Sequence, residues 1–255
     1  MFDIQRIQEQ LRAAVRLSHD AVPVPPFTCF FNPDSDATYA NYAIPQVPVS
    51  EGVDDALAAL AAVFQERDRR PRFEYLEAFA PDLAAVLERH GYQCEMRSLL
   101  MICTPQTLTR PAWPAGLTVE AVDDRTQIET VQDLMTVQAR AFGDPDAVRT
   151  TAEDARRFRE RFAALQLFLA RMGDSVVSAA SLTAPYEGIA ELAGIATLPA
   201  FRKRGIAGAL TFAVTEMAFA QGIDQVFLTA ANAEAGRVYG RAGFVANGSG
   251  LAYLR

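Results

Sequence analysis

The sequence predicts an α/β fold, and three observations carry the prediction. Apolar residues at 189–198 form a continuous run that reads as a buried strand, and it leads through Arg202, Lys203 and Arg204 into the helix start Gly205-Ile206-Ala207-Gly208. A second run at 225–229 leads into Asn232, a helical stretch at 233–242, and Gly243, which has the backbone freedom to stop a helix. From residue 117 onward, period-2 and period-3.6 patterns alternate, as they do where helices cover a sheet.

The elements follow in order. Ile4, Ile7, Leu11 and Val15 recur at helical spacing, so the chain opens on an amphipathic helix with a mixed-charge outer face. The prolines at 23, 25 and 26 force an extended segment. Residues 27–31 and 39–44 are strand-like across a turn-rich break, Asn32-Pro33-Asp34-Ser35. Residues 54–67 are helical, with Leu57, Leu60 and Phe64 on one face, and 73–77 form a strand. Pro81 opens a helix over 82–89 that Gly91-Tyr92 ends, before a strand at 99–103. The proline-rich stretch 104–114 is the expected boundary, dividing 1–110 from 111–255. Beyond it come a strand at 117–122, a helix carrying Ile128, Val131, Leu134 and Met135, and a second helix starting on the capping pair Thr151 and Asp154. A hairpin over 165–183 leads to the strand at 189–198.

Composition narrows the function. With 255 residues, half of them hydrophobic, the chain can fill one large core or two modest ones. A net charge of −7 disfavours nucleic acid as the main partner. No run is long enough to cross a membrane and the first residues lack a signal-peptide pattern, so a cytoplasmic location is expected. Cys29, Cys94 and Cys103 are widely spaced, and His19 and His90 are the only histidines, which suits a reducing compartment and gives no metal-ligand spacing. No Ser or Cys stands in a recognisable nucleophile motif.

Two motifs carry the chemistry. Arg202-x-x-Gly205-x-Ala207 after a strand is an anion cradle: the first N–H groups of a helix have no partner within it, and small residues let a phosphate approach. The spacing is neither that of a dinucleotide fingerprint nor that of a P-loop. Asn232-x-x-Ala235-x-x-x-Tyr239-x-x-x-Gly243-Phe244 follows one strand later, with Ala235 and Tyr239 on one helix face. In both motifs and their order the sequence resembles the GNAT acyltransferase superfamily, over about residues 117–255.

The resemblance implies an α+β fold with a mixed, mostly antiparallel sheet flanked by helices, and direct transfer of an acetyl or other acyl group from acetyl-CoA to a primary amine. It places the pyrophosphate on Arg202, Lys203, Arg204, Gly205, Ile206, Ala207, Gly208 and Ala209, the pantetheine along Ile195, Ala196 and Thr197, and Asn232 and Ala235 beside the coenzyme. Tyr239 would be the general acid, protonated at neutral pH from a reference pKa of about 10. Glu191 stands as either the base or a structural carboxylate; Asp123, Asp144, Asp146 and Glu187 are loop carboxylates open to an acceptor role or to plain solvation. No metal is implied. The acceptor amine and the choice between monomer and homodimer are not encoded, and a CoA-binding sensor without turnover is the alternative reading.

The first half carries a faint internal repeat. A shift of 152 residues brings Gly91-Tyr92 onto Gly243-Phe244 and Tyr75 onto Phe227, yet sets Leu87 against Tyr239 and Ala80 against Asn232. Residues 1–110 are therefore expected to be a degenerate, GNAT-like half that shapes or supports the catalytic half without holding CoA. Chance similarity of two strand–helix–strand units is the competing explanation.

Overall fold

The computed structural model describes residues 3–123 and 125–255. In chain order the elements are α1 (Ile4–Val15), β1 (Asp20–Val24), β2 (Phe27–Phe31), β3 (Asn41–Pro45), α2 (Asp54–Gln65), β4 (Arg72–Leu76), α3 (Leu83–Arg89), β5 (Gln93–Cys103), β6 (Leu117–Val122), α4 (Ile128–Phe142), α5 (Ala152–Arg161), β7 (Gln166–Met172), β8 (Ser175–Leu182), β9 (Ile189–Thr197), α6 (Ile206–Ala220), β10 (Gln225–Ala230), α7 (Ala233–Gly240) and β11 (Val245–Leu254). They form two compact units that no single cut separates: the chain up to Leu100 with Thr229–Asn232 and Ala246–Arg255, and Met101–Leu228 with Ala233–Val245.

The N-terminal unit orders its strands β1-β2-β3-β4-β11-β5. β2 is buried along its whole length because helices cover both faces. Phe30 packs with Val15 of α1, while Phe31 meets Phe64 of α2 with ring centroids 4.9 Å apart. Leu57 and Leu60 share that buried face of α2, as the helical spacing of the sequence predicts. β3 and β4 run parallel but share one register pair, Ala43 with Phe73. Where they part, α1 fills the space. The Leu76 N–H donates to Oε1 of the fully buried Gln8 at 2.9 Å, and Arg12 Nη1 donates to the carbonyls of Pro45 (3.2 Å) and Gln46 (2.6 Å).

The C-terminal unit orders its strands β10-β9-β8-β7-β6, antiparallel except for the parallel pair β9–β10. Leu167 and Leu169 pack with Leu134 and Val137 of α4; the alternate residues Phe168 and Ala170 are equally buried on the other face, where α6 lies. α6 is apolar nearly all round, which suits a helix enclosed by its neighbours. α5 starts as expected, the Thr151 side chain accepting from Asp154 N–H at 3.1 Å. The stretch 104–116 is not a loose linker. Arg110 lies over the rings of Trp113 and Phe212, Thr109 N–H donates to the Ala242 carbonyl at 3.1 Å, and Trp113 Nε1 donates to the Leu117 carbonyl at 3.0 Å.

The two halves of the chain repeat one element order, β3-α2-β4-α3-β5 and β9-α6-β10-α7-β11. The 152-residue shift holds from the first helix of each onward: α2 starts at Asp54 and α6 at Ile206, and Gly91 and Gly243 both stop helices with positive φ. It fails at the strand before. Phe73 pairs with Ala43, whereas its counterpart Gln225 pairs with Ile189. Residues 46–53 therefore stand in for 192–205, and they lack the second half of β9 and the basic turn. Where the cradle has Arg202, Lys203 and Arg204, this loop carries Glu51, and Asp54 and Asp55 occupy the first turn of α2.

Candidate functional site

The site begins where two strands separate. β9 and β10 pair in parallel over Ile189–Gln225, Ala190–Val226 and Glu191–Phe227 only, and β9 runs on through 192–197 without β10. A bulge helps to turn it aside. The β8–β9 register passes from Ser181–Ala193 to Ala179–Ala196, leaving Gly194 and Ile195 opposite Ala180. Gly194 has φ +62°, which favours glycine, and a Cβ there would lie 2.8 Å from Gln138 Nε2 and push that side chain aside.

Side chains hold the carbonyls around this bulge. Gln138 Nε2 of α4 donates to the Gly194 carbonyl at 3.2 Å, Ser181 Oγ to that of Ala193 at 3.2 Å, and Ser178 Oγ to that of Ala196. Leu198 N–H donates to the Val177 carbonyl, and strand alternation from there turns the polar groups of Ala196 towards β8 and those of Thr197 towards the gap. The Thr197 carbonyl is already engaged, accepting from Arg202 Nε at 3.1 Å. Of the three residues expected along a pantetheine arm, Thr197 thus turns its N–H towards the gap, Ala196 faces its neighbour strand, and Ile195 stands in the bulge, outside the alternation.

The turn after β9 is built for an anion. Lys203 takes the left-handed conformation (φ 61°), rare for a side-chain-bearing residue, and Gly205 follows at φ 81° as the N-cap of α6. Left-handed residues alternating with an ordinary one, as Arg204 does between Lys203 and Gly205, turn their N–H groups into a concavity. The first intrahelical bond is Ala209 N–H to the Gly205 carbonyl, so the N–H groups of Ile206, Ala207 and Gly208 open at the helix end. Arg202, Lys203, Arg204 and Gly205 are exposed. Their roles differ. Arg202 donates from Nη2 to the Ala141 carbonyl at 3.0 Å besides its bond to Thr197, tying the turn to the end of α4. Arg204 lies over the Phe201 ring, 5.1 Å from its centroid. Gly208 packs on Val238 of α7, and Pro114 of the connector stands beside Gly205.

Tyr239 is half-buried in α7, and its hydroxyl has no hydrogen-bond partner among the described residues. Burial pushes its phenol above the ordinary tyrosine value, so the group is a proton donor throughout the neutral range. Ala235 is half-buried one turn earlier, and the exposed Asn232 immediately precedes the helix. Glu191 is half-buried on the last paired residue of β9; its N–H donates to Thr183 Oγ1 and its carbonyl accepts from Thr183 N–H. Among the described residues no cluster of His, Cys, Asp and Glu could hold a metal ion, and no helix is long and apolar enough to cross a membrane.

β9 thus parts from its parallel neighbour, bulges, and ends in a basic turn on a helix start. Residues 130–244 match the acetyltransferase (GNAT) family model. The chain has the GNAT fold. A GCN5-related N-acetyltransferase from Kribbella flavida is 27% identical, with a TM-score of 0.81 over 100% of this chain and 96% of that one. A tandem GNAT protein from the clavulanic acid biosynthesis pathway shares the fold at 14% identity (TM-score 0.66, covering 90% and 78%), as does a GCN5-related N-acetyltransferase from Sphaerobacter thermophilus at 17% identity (TM-score 0.62, covering 90% and 80%). No curated protein matches the chain. The start of α6 meets α7 where Gly208 lies against Val238. Reading the sequence missed Gln138, Ser178 and Ser181, which hold the bulge, and the packed role of the connector. Gly194 inside a strand run was the one signal for the bulge.

Proposed function

We propose that this chain is an N-acetyltransferase that moves the acetyl group of acetyl-CoA onto a primary amine by direct attack. The observation that supports it most is the separation of β9 from β10 after Glu191, on the strand that leads straight into the Lys203–Gly205 cradle. The pyrophosphate takes the N–H groups of the turn and of Ile206–Gly208, with Lys203 and Arg204 adding positive charge. Charge-assisted bonds are worth about 1.5–3 kcal/mol each, so a few suffice to anchor the coenzyme. The pantetheine lies in the gap against Ile195 and Thr197, with Asn232 and Ala235 beside it.

The amine nitrogen attacks the thioester carbonyl carbon, its extra proton leaving to Glu191 directly or through water. The carbon–sulfur bond breaks, and the sulfur takes a proton from the Tyr239 hydroxyl, giving an amide and free CoA. Holding both reactants in one slot supplies much of the acceleration. The N-terminal unit takes a supporting part without coenzyme, because α1 fills its strand gap and acidic residues stand at its would-be cradle. The location is cytoplasmic on this reading. Incubating the chain with acetyl-CoA and amine libraries, read by mass spectrometry, tests it: acetylated product is expected, and coenzyme binding without product from any amine favours the sensor alternative.

A further inference from the structure

We propose that Gln138 is a positioning residue that aims the Ile195 N–H at the acyl carbonyl; this deepens the acetyl-transfer reading and rests on it. The Gly194 carbonyl and the Ile195 N–H belong to one peptide group. A trans peptide is planar, with its oxygen and hydrogen pointing to opposite sides. Fixing the direction of one fixes the other. Gln138 Nε2, reaching from α4, donates to the Gly194 carbonyl at 3.2 Å and so sets the plane of that peptide.

The placement matters because the sheet does not set it. The β8–β9 ladder skips Gly194 and Ile195, and the β9–β10 pairing has ended at Glu191. Ordinary strand bonds would lock a peptide at this point; here a side chain from a helix does so. The carbonyls on either side, of Ala193 and Ala196, are held by Ser181 and Ser178 of β8, which leaves the peptide between Gly194 and Ile195 to Gln138. The bond also polarises the peptide, making Ile195 N–H a stronger donor on its far side. In acyl transfer the carbonyl oxygen gains negative charge as the amine attacks, and a donor already aimed at it needs no rearrangement. Gly194 is part of the device. A side chain at 194 would collide with Gln138 Nε2 and break the contact.

The test uses Gln138→Leu, which keeps the size and loses the donor, and Gln138→Glu, which donates only when protonated. With acetyl-CoA and an accepted amine, kcat is expected to fall about 10–100-fold in Gln138→Leu while KM and Kd for acetyl-CoA change by less than about threefold. Gln138→Glu, a carboxylate at neutral pH, cannot donate to the Gly194 carbonyl and should lose kcat at least as far as Gln138→Leu does. In the coenzyme-free protein, the Ile195 amide proton should shift upfield in Gln138→Leu, because its peptide is no longer polarised. An unchanged kcat, parallel loss of kcat and coenzyme affinity, or an Ile195 resonance that does not move would overturn the proposal. Absence of acetyl-CoA binding in the unaltered chain would strike the acetyl-transfer reading instead, and the coenzyme-free resonance would still decide whether Gln138 sets the peptide.

Discussion

The carbonyl oxygen of Thr107 lies against the bare Cα of Gly243, 2.0 Å from where a Cβ would stand. The contact fastens the connector to the end of α7, next to the Thr109–Ala242 hydrogen bond. Gly243 also holds φ +98°, outside the range that a side chain tolerates well. Gly243→Ala therefore suffers twice, by backbone strain and by collision with backbone atoms that cannot rotate away. A loss of about 3 kcal/mol in unfolding free energy is expected, measured by urea denaturation. A loss under about 0.5 kcal/mol would mean that the connector moves aside freely.

Substitutions at Gly205 separate conformation from charge. A Cβ at 205 meets only ordinary contacts, Pro114 Cγ at 3.7 Å and the Ala112 carbonyl oxygen at 3.8 Å, so φ 81° alone penalises Gly205→Ala. About 1–2 kcal/mol of stability should go, with coenzyme affinity largely kept. Gly205→Glu adds a carboxylate at the anion site and should abolish CoA binding by titration calorimetry. Equal affinities for the two variants would move the phosphate site elsewhere.

How much of this was legible in the sequence depends on the range of the interaction. The helix start after the basic turn, the helix from Ala233 and the Thr151 cap are local: each is written in residues a few places apart, and each begins where the spacing puts it, although α7 ends at Gly240 and not at 242. β5 extends beyond the apolar run at 99–103: its first part, Gln93 to Arg97, is exposed on both faces and so carries no apolar run to mark it. Gln138 and Gly194 are 56 residues apart, and nothing in a polar helix residue announces that it will cap a strand carbonyl. The internal repeat was half legible. Helix starts and glycine stops keep their spacing, but the slide of β3 appears only in strand register, which a gapless comparison of sequences hides.

That slide leads to a prediction for α1. The Leu76 N–H is buried and has Gln8 Oε1 as its acceptor. Gln8→Leu keeps the bulk and removes the acceptor, leaving a buried donor unmade at a cost of about 1–3 kcal/mol. Amide exchange of the 73–79 segment should quicken in Gln8→Leu and stay slow in the unaltered chain. If α1 fills the gap as the hydrogen bonds indicate, native mass spectrometry should find one coenzyme per chain. A second bound coenzyme would mean that the N-terminal unit keeps a working slot.

Tyr239 gives the sharpest chemical prediction. Its phenol is raised above the ordinary tyrosine value by burial alone, with no partner among the described residues to compete for its proton. As general acid it must be protonated, so the alkaline limb of kcat should lie above about pH 10. Tyr239→Phe should lower kcat about 10²–10⁴-fold while leaving CoA affinity nearly unchanged, since the hydroxyl meets sulfur only as the thiolate leaves. The same shift has a consequence for folding. Below about pH 10 both the folded and the unfolded phenol hold their protons, and the stability is intact; above it the unfolded chain releases the proton first, so stability falls until the folded group also ionises. Tyr239→Phe removes this residue's share of the decline, while Tyr75 and Tyr92, also raised by burial, keep theirs, and urea unfolding from pH 9 upward compares the two. A variant that lost kcat and CoA affinity in equal measure would make Tyr239 a packing residue, and the proton would have to reach sulfur from water.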